Sequence, residues 1–180
     1  MRLMTPAEAA KRLRVSPITL RKWADAGLIQ ALVTVGGHRR YPANEVERML
    51  ERQKIHRSRE LKVMIVDDSR TIRQQVNFTL SKSGFEVVEA EDGADGLAKL
   101  RANPDVAMVI SDVNMPNMDG LQMVEAIKAD ATLNKVPVLM LTTEGAGELI
   151  NRARAAGAKG WIVKPFKPDQ LIAAVSKLAG

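Results

Sequence analysis

The feature that most constrains the fold lies in residues 61–180, where short apolar runs alternate with helical stretches. The runs are Val63–Val66, Glu86–Ala90, Val106–Ile110, Val136–Leu141 and Gly160–Val163. Five strands separated by helices imply an α/β fold, a doubly wound sheet with parallel pairing. In such a sheet the working site lies beyond the carboxyl ends of the strands, so the residues that follow each run matter most.

Those positions hold Asp67 and Asp68 after the first run, Asp112 after the third, Thr142 after the fourth and Lys164 after the fifth. Each alone has a plain explanation, such as a helix cap or a surface lysine. Together, on four separate strand ends, they form a specific constellation. Three gathered carboxylates repel one another and resist ionisation unless a cation neutralises them. A hard divalent ion with oxygen ligands, Mg2+ above all, answers that need. With Asp67, Asp68 and Asp112 around the metal, one carboxylate oxygen remains free to attack phosphorus, while Lys164 and Thr142 stabilise the phosphoryl charge.

The first sixty residues have a different texture. They carry 13 Lys and Arg against 6 Asp and Glu, whereas residues 61–180 carry 14 against 15. The net charge of +6 therefore sits wholly in the first third. A basic block of this kind suits a polyanion such as nucleic acid, although basic faces are often only solvated surface. The chain has no cysteine, which fits a reducing compartment, and no export signal or run of eighteen apolar residues, so a soluble cytoplasmic protein is expected.

Thr5-Pro6-Ala7-Glu8 carries the signature of a capped helix start, and Ser16-Pro17-Ile18-Thr19 repeats it. Arg14-Val15 between the two helices has room only for a turn, and Gly27 closes the second. Two capped short helices joined by a tight turn read as helix-turn-helix. Leu20, Trp23 and Ala24 share one face of the second helix, leaving Thr19, Arg21 and Lys22 on the face that could enter a major groove. Ala31–Val35, Gly36-Gly37 and His38-Arg39-Arg40-Tyr41 then read as strand, turn and basic strand, a wing. A final amphipathic helix places Val46, Met49 and Leu50 inward and runs towards a charged stretch. The expected organisation is a winged helix-turn-helix domain at 1–52, a linker at 53–60 and an α/β domain at 61–180. Trp23 reads as core, His38 reads equally as a turn residue, and Arg48, Arg52 and Lys54 read equally as solvated helix surface.

Two resemblances sharpen these readings. Val66-Asp67-Asp68-Ser69, Ser111-Asp112-Val113-Asn114-Met115-Pro116-Asn117-Met118-Asp119-Gly120, Leu141-Thr142-Thr143 and Val163-Lys164-Pro165-Phe166 resemble a response-regulator receiver of the chemotaxis, CheY-like type. The resemblance implies a flavodoxin-like fold, with a histidine kinase as partner and Asp112 as phosphoacceptor. It further implies Mg2+ on Asp67, Asp68, Asp112 and the Asn114 carbonyl, with Thr142 and Lys164 sensing the phosphate. It also implies a cis Lys164-Pro165 peptide, an aromatic switch at the position held by Trp161, and tuning of phosphate lifetime by Asn114 and Glu144. The indole of Trp161 is larger than the Tyr or Phe usual there and reads equally as a fixed aromatic.

The N-terminal motifs resemble MerR-type, excisionase-like winged helix modules, which would give Thr19, Arg21 and Lys22 the bases and His38, Arg39, Arg40 and Tyr41 the DNA backbone. The long coiled coil that pairs such modules has no counterpart in this sequence. The implied protein is a two-component response regulator rather than an enzyme, controlling DNA binding and forming a homodimer at least when phosphorylated. Two other classes stay open. One is a chemotaxis-like interaction module with a non-regulatory winged helix. The other is a phosphohydrolase with a nucleophilic Asp, disfavoured because Asn114 stands where its general acid would be needed.

Overall fold

Capping residues set the limits of the first two helices. In the computed structural model, which describes residues 2–59, 61–143, 145 and 147–180 and the side chains of these except 55–59, α1 spans Pro6–Leu13 and α2 spans Pro17–Asp25. Thr5 and Glu8 form a reciprocal capping box at the start of α1: the Thr5 amide donates to Glu8 Oε2 at 2.7 Å, and the Glu8 amide donates to Thr5 Oγ1 at 3.3 Å. Ser16 caps α2 by accepting from the Thr19 amide at 3.0 Å. At the far end Gly27, at φ 73°, lets Leu28 N–H reach the Trp23 carbonyl at 2.8 Å while its own N–H reaches Ala24 at 3.1 Å. That paired closure requires a left-handed residue, which glycine adopts without a Cβ penalty.

The chain divides into two compact units between His56 and Arg57. In the first, β1 (Leu3–Met4), β2 (Leu32–Val33) and β3 (Arg39–Pro42) form an antiparallel sheet in the order β1-β3-β2. The first hairpin strand is shorter than Ala31–Val35 and the second begins one residue later than His38, because the turn closes early: Thr34 N–H donates to the His38 carbonyl and Gly37 N–H to the Thr34 carbonyl. β1 was not foreseen, since two residues are too few to display alternation. Ala9, Ala10, Leu13, Leu20, Ile29, Tyr41 and Val46 form the core, with Trp23, Met49 and Leu50 packed against it. The third helix, α3, covers Ala43–Arg59, so the stretch read as a linker is helical through Arg59; Glu60 lies outside the described residues.

In the second unit, β4 (Lys62–Val66), β5 (Glu86–Ala90), β6 (Val106–Asp112), β7 (Val138–Thr142) and β8 (Gly160–Val163) pair in parallel in the order β5-β4-β6-β7-β8. β7 begins after Val136 because Pro137 has no N–H for the ladder. The linking helices are α4 (Arg70–Lys82), α5 (Gly93–Ala102), α6 (Gly120–Ala129), α7 (Gly147–Ala156) and α8 (Pro168–Ala179). Alternation along β4 sorts them into layers. Met64 and Val66 pack with Leu97, Val124 and Ile127 of α5 and α6, whereas Val63 and Ile65 pack with Val76, Leu80, Leu171 and Val175 of α4 and α8. Helices thus cover both faces of the sheet, and both are buried. Among the described residues, no helix is long and apolar enough to cross a membrane.

Leu20 is fully buried in a core of only a few side chains. Leu20→Ala is expected to cost about 2–5 kcal/mol. Amide exchange should then accelerate across α1, α2 and β3 while protection in β4 and β6 is retained.

Candidate functional site

Three carboxylates meet at the carboxyl ends of the two central strands. Asp67 and Asp68 follow β4 directly, Asp112 is the last residue of β6, and one carboxylate oxygen from each lies within 4.8 Å of the others. Asp67 is fully buried and Asp112 nearly so, while Asp68 is exposed. Thr142 ends β7 and is buried; the register sets Asp112 beside Leu141 and Thr142 beside Val163, so neighbouring strand ends deliver all these groups to one edge.

Lys164 follows β8, and its Nζ lies 2.9 Å from Asp67 Oδ2 and 3.3 Å from Asp112 Oδ1. Burial works against the ammonium, but its bond to Asp67 and the charge of Asp112 more than offset this and hold its pKa above the usual lysine value. Asp112 goes the other way. Burial, aided by the charge of Asp67, raises its carboxyl above the ordinary range despite Lys164 and a 2.9 Å bond from the Val113 amide. One lysine therefore does not neutralise the cluster. Three oxygen donors converging on a pocket short of positive charge fit a hard divalent cation such as Mg2+.

The surrounding loops are closely fitted. A Cβ built on Gly120 would overlap the carbonyl oxygen of Asp112, and Gly120 N–H donates to the Val113 carbonyl at 2.8 Å. Glycine is what allows α6 to start directly against the acceptor strand. Asn117, at φ 65°, donates to Asp92 Oδ2 at 2.9 Å and ties the loop after β6 to the loop after β5. The Lys164-Pro165 peptide is cis, and Asn114 is exposed two residues beyond Asp112. Glu144 lies outside the described residues.

Trp161 is half-buried on β8, with the Arg154 guanidinium 5.0 Å from its ring centroid. No local pattern signals that stack, because the partners come from different elements. Arg73 is likewise absent from the candidate residues, although its Nη1 donates to the backbone carbonyls of Asp67 at 2.7 Å and Asp68 at 3.3 Å. A signal for Arg73 existed: it shares a helical stripe with Val76 and Leu80, an odd place for an unpartnered charge.

The expected DNA-facing residues separate on inspection. Arg21 and Lys22 are exposed on α2, and His38 is exposed at the hairpin. Thr19 is half-buried, its hydroxyl 2.9 Å from that of Ser16. Arg39 is held by Asp25 at 2.6 Å, and Arg40 is half-buried, with its guanidinium on the Arg39 carbonyl at 2.9 Å. Tyr41 corrects the sequence reading: at 1% exposure it is a core residue, in one cluster with Ala9, Leu13, Leu20 and Val46, and cannot face a DNA backbone.

A doubly wound sheet that carries an acid pair, an acid, a hydroxyl and a lysine at four strand ends defines the α/β class of receiver-like domains. The chain belongs to the response regulator receiver domain family, whose model matches residues 63–176, and residues 3–54 match a helix-turn-helix domain. It is 43% identical over 112 residues to the chemotaxis protein CheY1 of Helicobacter pylori, covering 62% of this chain and 90% of that one. A CheY homolog of Campylobacter jejuni is 40% identical over 112 residues, 62% of this chain and 86% of its own. Among solved structures, CheY4 of Vibrio cholerae superposes with a TM-score of 0.63 at 43% identity, covering 66% of this chain and 98% of that one. The CheX-CheY-BeF3-Mg2+ complex of Borrelia burgdorferi gives 0.62 at 28% identity, covering 65% and 87%.

Two outcomes follow from this geometry. Gly120→Ala is expected to destabilise the receiver by about 1–3 kcal/mol, read as a lowered denaturation midpoint, since helix and acceptor strand must part. A carboxyl whose folded-state pKa is raised opposes folding once the pH exceeds the ordinary aspartate value. In metal-free protein, Asp112→Asn should therefore melt higher than wild type at neutral pH, with the gap closing as the pH falls through about 4. A lower melting temperature for the variant at neutral pH would mean that Lys164 outweighs burial and the Asp67 charge.

Proposed function

We propose that the chain is a two-component response regulator in which Asp112 accepts a phosphoryl group and thereby controls DNA binding by the N-terminal unit. The observation that carries this reading is the placement of Lys164 within 2.9 Å of Asp67 and 3.3 Å of Asp112, beside three converging carboxylates. In the proposed reaction an Asp112 carboxylate oxygen attacks the phosphorus of a phosphohistidine on a kinase. The P–N bond breaks as an acyl phosphate P–O bond forms, and the freed imidazole takes a proton. Lys164 then pairs with the new phosphoryl oxygens, and the Thr142 hydroxyl turns to the same group.

Asp67, Asp68, Asp112 and the Asn114 carbonyl would hold Mg2+, which supplies charge neutralisation while the phosphoryl group transfers. That a Borrelia burgdorferi CheY was solved in a complex with CheX, BeF3 and Mg2+ supports the choice of metal. Attack of water on the same phosphorus restores the carboxylate, so the domain turns over only its own phosphoryl group.

The N-terminal unit is read as a MerR-type winged module, with α2 in the major groove and the hairpin as its wing. Thr19, Arg21 and Lys22 would face the bases and His38, Arg39 and Arg40 the backbone, and of these Arg21, Lys22 and His38 are exposed. A single small module binds DNA weakly, and pairing two copies could raise avidity by roughly 10² to 10⁴. Phosphorylation of Asp112 is proposed to favour the paired form, in the cytoplasm.

Fluorescence anisotropy on duplex DNA with Mg2+, with and without a small phosphodonor, tests the coupling. The donor should tighten binding by wild type and leave Asp112→Asn unchanged. Equal binding under every condition would assign phosphorylation to another partner; no binding at any salt would make the N-terminal unit a protein-contact module. Arg21→Ala and Lys22→Ala should each cost about 1–3 kcal/mol on the preferred sequence and relax discrimination against others, as for side chains that read bases from the major groove.

A further inference from the structure

The acid pair must point both carboxylates at one place, yet its two members are held very differently. The Asp67 carboxylate is buried and engaged by Lys164 and by the Ser69 amide, which donates to Oδ1 at 2.8 Å. Asp68 is exposed. An exposed carboxylate keeps its rotamer freedom, so its direction is set chiefly by the backbone that carries it.

That backbone is gripped from behind. Arg73, one turn into α4, donates through Nη1 to the carbonyls of both Asp67 and Asp68, at 2.7 Å and 3.3 Å. Its side chain is only 15% exposed, and its Nε lies 3.4 Å from Glu89 Oε2 on the neighbouring strand β5. Glu89 is itself fixed, because Asn77 Nδ2 donates to its other oxygen at 2.7 Å. The result is a chain of partners from α4 through β5 back to the peptide units of the acid pair.

We infer that Arg73, braced by Glu89, is a positioning residue for the cation site: it locks the Asp67-Asp68 backbone so that both carboxylates face Asp112. This rests on reading the cluster as a Mg2+ site. Two effects of Arg73 compete. As a positive charge close to the acids it would weaken binding of a dication; as a clamp on their backbone it would strengthen it. Glu89 decides between them, since its carboxylate largely cancels the guanidinium charge at the site and leaves the clamp. The sign of the mutational effect therefore separates positioning from simple electrostatics.

The test is Mg2+ affinity of the full chain by isothermal titration calorimetry, with thermal melts of each metal-free variant as the structural control. Loss of a partner that orients a metal ligand typically costs 10–100-fold in affinity. Arg73→Met should weaken Mg2+ binding by about tenfold or more, within that range. Arg73→Lys should recover part of the loss, because one ammonium can still reach a carbonyl. Glu89→Gln should also weaken binding, since it releases the brace and exposes the guanidinium charge. If Arg73→Met fails to fold, Arg73→Lys and Glu89→Gln carry the test. Unchanged or tighter binding in the folded variants would overturn the inference while leaving the metal site standing. Failure of the wild-type chain to bind Mg2+ would overturn the metal reading itself, and the inference with it.

Discussion

The receiver is organised around an electrostatic conflict that the fold creates and only partly resolves. Parallel pairing brings the ends of β4 and β6 side by side, so Asp67 and Asp112 are forced together in a place with little water. Lys164 reaches both from β8, yet the Asp112 carboxyl stays harder to ionise than an ordinary aspartate. A site in this condition attracts positive charge of the kind a divalent cation supplies. Much nearby structure serves to maintain the conflict rather than relax it: the bare Gly120 against the Asp112 carbonyl, the tie from Asn117 to Asp92, and the grip of Arg73 on the acid pair.

The N-terminal unit shows how charge seen in a sequence differs from charge available to a partner. Its basic stretch suggested four wing residues on one DNA face. In the folded unit Tyr41 is core, Arg39 is engaged with Asp25 at the end of α2, and Arg40 is half-buried. Arg21, Lys22 and His38 keep their exposure because helical and hairpin geometry turns them outward. The Arg39–Asp25 pair joins α2 to the hairpin, so it fixes the angle between the two elements that would meet a duplex.

How much could be read from the residues follows from how far apart the partners are in the chain. The five strands, the first two capped helices and the strand-end acids are legible because short apolar runs, Ser or Thr caps and the residues that follow such runs are local patterns. The strand β1 was missed because two residues carry no period, and Val136 was assigned to a strand that Pro137 prevents. Contacts such as Arg73 with Glu89 and Arg154 with Trp161 depend on which elements lie side by side, and strand order is not written in local pattern. Tyr41 is misread for the related reason that the face of β3 it occupies is covered by residues of α1, α2 and α3, which no local pattern shows.

The strand order also distributes rigidity. The acids stand at the ends of β4 and β6, each bonded to a neighbour on both sides, whereas Trp161 lies on β8 and Lys164 directly follows it, and β8 has a strand on one side only. Moving a central strand would break two ladders, while shifting the margin disturbs one. The sheet thus behaves as a vice with one fixed jaw and one that yields. The acid cluster is mounted on the fixed jaw, while Trp161 and Lys164 are carried by the one that yields.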